Sequence, residues 1–451
     1  MSNLIEKKRE DDYWVYPKLS KYLHSASLQD ISAKMNILDK KTDMDSQTNL
    51  YIHIPFCESR CLFCPYYKVW PQIDEIENYI VALLKELEMY KAKKYFENRK
   101  IASVHFGGGN PFALTANQIK RILDKVIDLF GFQITDDNVS IEGSVISIQS
   151  KEYVQELMEM GIFRFSLGIQ TFDESIRHKM TMRAELDDIY RCVSVLNEVG
   201  FSKYCFDMMY NMPDQTEEIF IKDLEKCNAL NPYHIDIYNM GVFPNTLLDK
   251  NIQQKKYSVL PSNERSISMY KIGKEWFSRN HYKQIMTQTF SKYESVPELH
   301  DYLYLKGCNV LGIGCSSRGY LDGIAYKNAD TYKDYMEKIN ADQFPILLME
   351  NFERDELEDR KMIFFPILMG INMSEINNYQ RYAEKIGILH KEGLLRTEGD
   401  RIVLTEEGKI WSGNISQYFI SKKRWNEYMS VFFNSYKHKN NPYNEDDMGV
   451  E

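Results

Sequence analysis

From about residue 50 to residue 240 the chain alternates short apolar, β-rich runs with longer amphipathic stretches, the pattern of a parallel sheet wrapped by helices. The runs "LYIHI", "ASVHF", "NVSIE", "FRFSLG", "YCFDMMY" and "HIDIYNM" predict six strands. Helical spacing fills the intervals. Ile76, Tyr79, Ile80, Leu83, Leu84, Leu87 and Tyr90 recur at three- and four-residue steps and make one apolar face. Thr115 is placed to cap a second helix, with Ile119, Ile122, Leu123, Val126 and Ile127 turned inward. Six strand–helix units are too few to close an eightfold barrel, so the pattern predicts an α/β fold built on an open, partial (β/α)6 TIM-like barrel.

The pattern changes around this unit. It predicts an N-terminal extension over 1–46, the barrel over 47–255 and a helical and strand extension of it over 256–365. A C-terminal, mostly helical, winged-helix-like domain over 366–432 and a polar tail over 433–451 follow. The segment "MSEINNYQRYAEKIGILHKEGLLRTEGDRIVLTEEGKIW" reads as two helices, a turn at Glu398 to Asp400 and a short strand, the order of a winged helix. Winged helices often bind DNA, but Glu392, Glu398, Asp400, Glu406 and Glu407 disfavour a surface facing phosphates. A cover for the open barrel is the expected role.

Composition narrows the setting. A chain of 451 residues with 43% apolar content can bury a large core, and a net charge of −9 argues against a non-specific nucleic-acid binder. No unbroken apolar run is long enough to span a bilayer, and the charged opening lacks a signal-peptide core. The expectation is a cytoplasmic protein with no membrane span and no nucleic-acid partner. Cys192, Cys205, Cys227, Cys308 and Cys315 lie scattered among apolar neighbours, as buried thiols do in a reducing compartment.

The remaining three cysteines change the picture. Cys57, Cys61 and Cys64 fall within eight residues, in "HIPFCESRCLFCPYYK", directly after the first predicted strand. Every other unusual feature also follows a strand: "GGGNP" the second, Glu142 at the end of the third, "GIQTF", "YNMPDQ" and "NMGVFPNT" the rest. In a parallel barrel those strand ends form the active-site face. Three thiolates on one loop suit an iron–sulfur cluster with one iron left open. A structural zinc site, which wants a fourth ligand absent locally, and unliganded buried thiols remain alternatives. Beside them, Gly107, Gly108 and Gly109 permit close backbone approach to a ligand or make a plain turn. Glu142 needs a partner if buried. Gln170 and Asp207 are expected to end successive strands with polar groups on the same rim, for ribose hydroxyls or as helix caps.

"YIHIPFCESRCLFC", "HFGGGNP" and "RFSLGIQTF" together resemble the radical S-adenosylmethionine (SAM) superfamily, in the branch of oxygen-independent coproporphyrinogen dehydrogenase, over roughly residues 48 to 320. The resemblance implies a radical SAM barrel in which Cys57, Cys61 and Cys64 bind a 4Fe-4S cluster whose open iron takes the amino and carboxylate groups of SAM. It further implies that Gly108, Gly109, Asn110, Glu142, Gln170 and Asp207 contact the cofactor. Arg183 would meet its carboxylate, though one residue further along than the family usually has it. Tyr51 would touch the cofactor and Phe63 would shield the cluster, unless both are core. Cys315, Ser316 and Ser317 would lie close behind them.

Departures from the parent pattern point within the branch. "GGGNP" replaces the commoner "GGGTP", "IEGSVIS" replaces Glu-x-Asn-Pro, and "HDYLY" at His300 to Tyr304 poorly matches the His-Asn-x-x-Tyr-Trp of heme chaperones. "IEGSVIS", "IDIYNMGVFPNTLLDK" and "IVLTEEGKIWSGNISQYF" instead resemble the anaerobilin synthases, radical SAM methyltransferases that open heme. This implies a C-methylation using two SAM molecules per turnover, a heme or other tetrapyrrole substrate, and a low-potential electron donor such as flavodoxin or ferredoxin. A heme chaperone, a coproporphyrinogen dehydrogenase-like protein, or a methyltransferase or cyclopropanase for a non-heme substrate stands as the alternative. His390 is a candidate heme ligand, more simply a packed or surface residue.

Overall fold

The computed structural model describes residues 9, 19, 25–36, 47–66, 68–148, 150–243, 246–352 and 356–427. All six expected strands form: β1 (Thr48–Ile54), β2 (Ile101–Gly108), β3 (Val139–Gly143), β4 (Arg164–Gln170), β5 (Tyr204–Tyr210) and β6 (His234–Asn239). They pair in sequence order and in parallel, so their C-terminal ends share one rim. The helices between them close the outer face. Helix Ile73–Lys91 buries Ile76, Tyr79, Ile80, Leu83, Leu87 and Tyr90. Helix Ala116–Phe130 starts where Thr115 accepts the Gln118 N–H, within a reciprocal capping box that satisfies two backbone donors left over at a helix start.

The sheet continues beyond the six. Two short antiparallel strands, β7 (Lys283–Gln284) and β8 (Thr289–Ser291), extend it past β6. On the other side β9 (Asn309–Ile313) lies parallel to β1, followed by antiparallel β10 (Arg318–Leu321), β11 (Ile324–Asn328) and β12 (Ile346–Asn351). The twelve strands run in the order β12-β11-β10-β9-β1-β2-β3-β4-β5-β6-β8-β7, and no pairing between β12 and β7 closes them among the described residues. The open barrel expected from the sequence is therefore the fold, with the 256–365 segment supplying half of the strands.

At the edges, Ser25 bridges to Leu348 of β12 and is followed by helix Leu28–Met35, which attaches part of the N-terminal extension to that edge. The C-terminal unit holds β13 (Gly370–Asn372), β14 (Leu395–Glu398) and β15 (Arg401–Leu404) in the order β13-β15-β14. Helix Tyr379–Lys391 precedes the β14–β15 hairpin, and two short helices, Glu406–Ile410 and Ser412–Phe419, follow it. The first of the two expected helices is only the 3-10 turn Met373–Glu375, and the stretch holds two strands where one was expected, because Leu395–Glu398 pairs across the Gly399 turn. The tail over 433–451 lies outside the described residues.

Candidate active site

Successive side chains of a strand point to opposite faces. In β1 to β6 one face is apolar and packs on the helices, while the other, lining the lumen, carries Tyr51, His53, His105, Ser140, Glu142, Ser166, Asp207, Asp236 and Tyr238. The Glu298–Tyr304 segment packs against β1 and β2 inside that lumen. There Asn49 donates to the His300 carbonyl at 3.3 Å, and the His300 ring stacks on His105 with centroids 5.1 Å apart. Burial and the neighbouring His105 charge push His300 down to about 3, so it is neutral.

The thiol loop leaves the top of β1. Cys57 N–H donates to the Val69 carbonyl at 3.0 Å and Val69 N–H to the Pro55 carbonyl at 2.9 Å, which pinches the loop at its base. Leu62 N–H donates to the Met180 carbonyl and Thr181 Oγ1 to the Arg60 carbonyl, tying its far side to the end of the short helix Glu174–Lys179 that follows β4. Cys57 is buried, Cys61 and Cys64 are half-buried, and all three are free thiols, as are the other five cysteines. Lys68 reaches back over the loop to the Ser59 carbonyl at 3.3 Å and to the Cys64 sulfur. The three thiols interact electrostatically, yet among the described residues no set of three His, Cys, Asp or Glu side chains converges closely enough to hold a single metal ion. The donor set on this loop is all thiol, which suits an iron–sulfur cluster.

The glycine run packs against this loop. A Cβ on Gly107 would lie 2.5 Å from Glu142 Oε1, one on Gly108 2.7 Å from the His53 ring, and one on Gly109 2.8 Å from the Phe56 carbonyl oxygen. Gly108 also has φ +114°, which side chains rarely tolerate. The glycines thus bring the protein's own groups together at the rim. Gly108 N–H donates to Glu142 Oε1 at 2.9 Å, and Glu142 keeps 41% of its side chain exposed to the lumen. His53 is buried and pushed down to about 4; Tyr51 Oη lies 3.2 Å from its Nδ1, while its Nε2 is buried with no partner. A buried polar atom left open beside an accessible carboxylate is what a polar, zwitterionic cofactor would complete.

The other expected site residues distribute as follows. Gln170 ends β4 with φ +69° at a register shift, its amide over Gly168. Asp207 does not end a strand: it sits mid-way along β5, accepts from Ser166 Oγ at 2.8 Å, and pairs in register with Asp236 of β6. Burial and the neighbouring Asp236 carboxylate raise Asp207 well above the usual range. Asn110 is turned away from the lumen, its Nδ2 donating to Ser147 Oγ and its Oδ1 accepting Ser144 N–H, so its side chain braces the loop after β3. Arg183 pairs with Glu58 at 2.9 Å and lies over the Trp70 ring, beside the thiol loop. Phe63 packs on a separate methionine-rich cluster of Met180, Met182, Met212 and Met240. Ser317 Oγ is buried without a partner, and Cys315 N–H donates to the Tyr79 hydroxyl. His390 sits 3.3 Å from Thr397 at the surface of the C-terminal unit, away from the barrel rim. His105, Ser140, Asp236 and Glu298 were not singled out from the sequence; the signal for the first three was the polar residue at every second position of apolar strands, while Glu298 caps the helix Leu299–Leu305.

Residues 51–227 match the Radical SAM superfamily. The chain is 26% identical over 370 residues to "Anaerobilin synthase" of Escherichia coli O157:H7, covering 82% of each chain. It is 25% identical over 389 residues to "Heme chaperone HemW" of Lactococcus lactis, covering 84% of this chain and 98% of the other. The structure of E. coli coproporphyrinogen III oxidase (HemN) superposes with a TM-score of 0.74 over 92% of this chain and 99% of that one, at 22% identity, which establishes the shared fold. The superfamily's resident groups are a 4Fe-4S cluster and SAM, and the thiol loop and lumen described above fit them. Among the described residues no helix is long and apolar enough to cross a membrane.

Proposed function

We propose that this member of the radical SAM superfamily is a C-methyltransferase that opens heme to a linear tetrapyrrole, with two SAM molecules consumed per turnover and electrons from a flavodoxin or ferredoxin. The observation that carries the reading is the shape of the rim. Exposed aromatics, Tyr66 (63% exposed), Trp70 (48%) and Phe243 (48%), stand on the loops after β1 and β6, where a large flat apolar substrate needs apolar contacts. The similarity to an anaerobilin synthase over four-fifths of both chains supports it. A chaperone built on the same scaffold would have to hold heme without turnover, and His300, in the stretch that only poorly matches the chaperone motif, is buried against His105.

Bound at the thiol loop, the cluster and SAM would supply the one-electron chemistry. The chain's own share is placement. Cys57, Cys61 and Cys64 would hold the cluster; Glu142, fixed by Gly108 N–H, would accept from the cofactor's amino group; His53 Nε2 and Gln170 would offer further hydrogen bonds; and Arg183, now paired with Glu58, would meet its carboxylate. The test is an anaerobic assay of the reconstituted protein with SAM, heme and a strong reductant, following the heme Soret band and products by mass spectrometry. Loss of the band with 5′-deoxyadenosine, S-adenosylhomocysteine and a methylated linear tetrapyrrole is expected. SAM cleavage with intact heme would move the search to another substrate, and heme binding with neither consumed would favour the chaperone.

A further inference from the structure

Beneath Glu142 lies a chain of hydrogen bonds that no cofactor contact requires. His105 Nδ1 lies 2.8 Å from Ser140 Oγ, and Ser140 Oγ donates to Glu298 Oε1 at 2.7 Å. Glu298 Oε2 accepts the Asp301 N–H at 2.9 Å, so this carboxylate is held in place by the start of the helix it caps. On the opposite side of the ring, His105 Nε2 stands 3.9 Å from Glu142 Oε2. The directions of these bonds fix the protonation. Because Ser140 gives its only proton to a carboxylate, its oxygen must accept from His105 Nδ1–H. A neutral imidazole would then point the lone pair of Nε2 at Glu142, so the arrangement favours the imidazolium, set between Glu142 and, through Ser140, Glu298.

The stacking agrees. The His105 ring lies between Tyr51, 5.9 Å away at 19°, and the neutral His300, an arrangement suited to a cation against aromatic faces. Burial disfavours the charged form of His105, but the nearby Glu142 carboxylate, with Glu298 and Asp301 further off, outweighs it and raises the ring to about 9. The titratable groups facing His105 are Tyr51 and His53 from β1, Glu142 from β3, and Glu298, His300 and Asp301 from the crossing segment. Of these, His53 and His300 are neutral, burial and the Glu298 charge raise Asp301 to about 7, and the ionised Glu142 and Glu298 flank the cation.

We propose that His105 is a positioning residue for cofactor binding: with Ser140 and Glu298 behind it, it holds Glu142 ionised and turned toward Gly108 N–H, ready to accept a hydrogen bond from the cofactor's amino group. The inference rests on the reading that Glu142 binds SAM, and the experiment separates the two. Equilibrium dialysis of labelled SAM is measured on the cluster-loaded protein for wild type, Glu142→Gln, His105→Phe, His105→Gln and the double variant Glu142→Gln/His105→Phe, from pH 6 to 8. Loss of affinity in Glu142→Gln tests the underlying reading. His105→Phe and His105→Gln are each expected to weaken binding roughly tenfold at pH 6, by loss of a charge-assisted partner. The ratio to wild type should shrink toward pH 8, because a carboxylate deprived of its cation protonates at higher pH. In the Glu142→Gln background His105→Phe should add nothing. An additive loss there, or a ratio to wild type that ignores pH, overturns the positioning role while leaving the Glu142 reading intact. If His105→Phe fails to load its cluster, His105→Gln decides alone by its pH dependence.

Discussion

The Tyr79 hydroxyl donates to the carbonyl oxygen of His53 at 2.7 Å, from the middle of a helix outside the barrel to the top of β1. The Tyr79 hydroxyl oxygen in turn accepts the Cys315 N–H at 2.8 Å, just after β9, so one buried phenol pins two neighbouring strand ends beside the thiol loop. Tyr79→Phe leaves two buried backbone groups unpaired. It is expected to cost about 1–3 kcal/mol, read as a lower urea midpoint of the cluster-free protein with an unchanged slope. An unmoved midpoint would mean that water replaces the phenol.

Glu86 makes the neighbouring joint pH-sensitive. It is fully buried, accepting from Gly314 N–H at 2.8 Å, Asn328 Nδ2 at 2.8 Å and the Tyr335 hydroxyl at 2.7 Å. Burial raises it to about 7, against the lowering effect of those three donors. A raised folded-state value means that the folded protein keeps a proton the unfolded chain has already released. The contribution is therefore complete below the ordinary carboxylate range and lost as pH rises toward 7. Wild type should lose up to roughly 3 kcal/mol relative to Glu86→Gln between pH 4.5 and 7.5, compared by urea denaturation at each pH. A constant difference between the two proteins would show that Glu86 does not titrate there.

The sequence made the six-strand core legible because helical and strand periods alternate cleanly there, and Thr115 even marked its helix start. It also placed Cys57, Cys61, Cys64 and Glu142 on one rim, since topology alone brings strand ends together. It did not show that β9, more than 250 residues beyond the start of β1, joins that sheet in parallel, because strand pairing at that separation leaves no local signature. Asp207 was misplaced to a strand end for a related reason. "YCFDMMY" is apolar on both sides of the aspartate, and only the register with Asp236 shows that the lumen face is polar. The bonds of Asn110 to Ser144 and Ser147, 34 and 37 residues on, likewise leave no local signature.

Gly108 tests the cradle through its backbone. Its φ of +114° and the His53 ring 2.7 Å from a hypothetical Cβ mean that Gly108→Ala must move either the backbone or that ring. A strain of about 1–3 kcal/mol is expected. Because the Gly108 N–H would swing off Glu142, SAM affinity should fall with it while the iron content stays normal. Normal affinity in a destabilised Gly108→Ala protein would separate the glycine's structural task from the cofactor site.

The cluster assignment makes the sharpest demand, because it divides the eight cysteines into two groups with opposite expected behaviour. Cys61 sits half-buried on the pinched loop, among two other thiols and under Lys68. Cys192 is fully buried in helix Leu186–Glu198, where burial alone pushes its thiol up to about 12. Burial also raises Cys61, to about 11, so the two thiols differ in their neighbours: Cys61 has Cys57, Cys64 and the Lys68 cation beside it and Cys192 has none of these, which marks the first as a candidate metal ligand and the second as a packing group. Cys61→Ala should therefore lose iron, acid-labile sulfide and SAM cleavage together while keeping its fold by circular dichroism. Cys192→Ala should lose stability, by about 1 kcal/mol for a small buried side chain, and keep its iron and sulfide. A Cys61→Ala protein that still carries a full cluster and cleaves SAM would remove the ligand role of that loop, and with it the basis for placing the reaction at this rim.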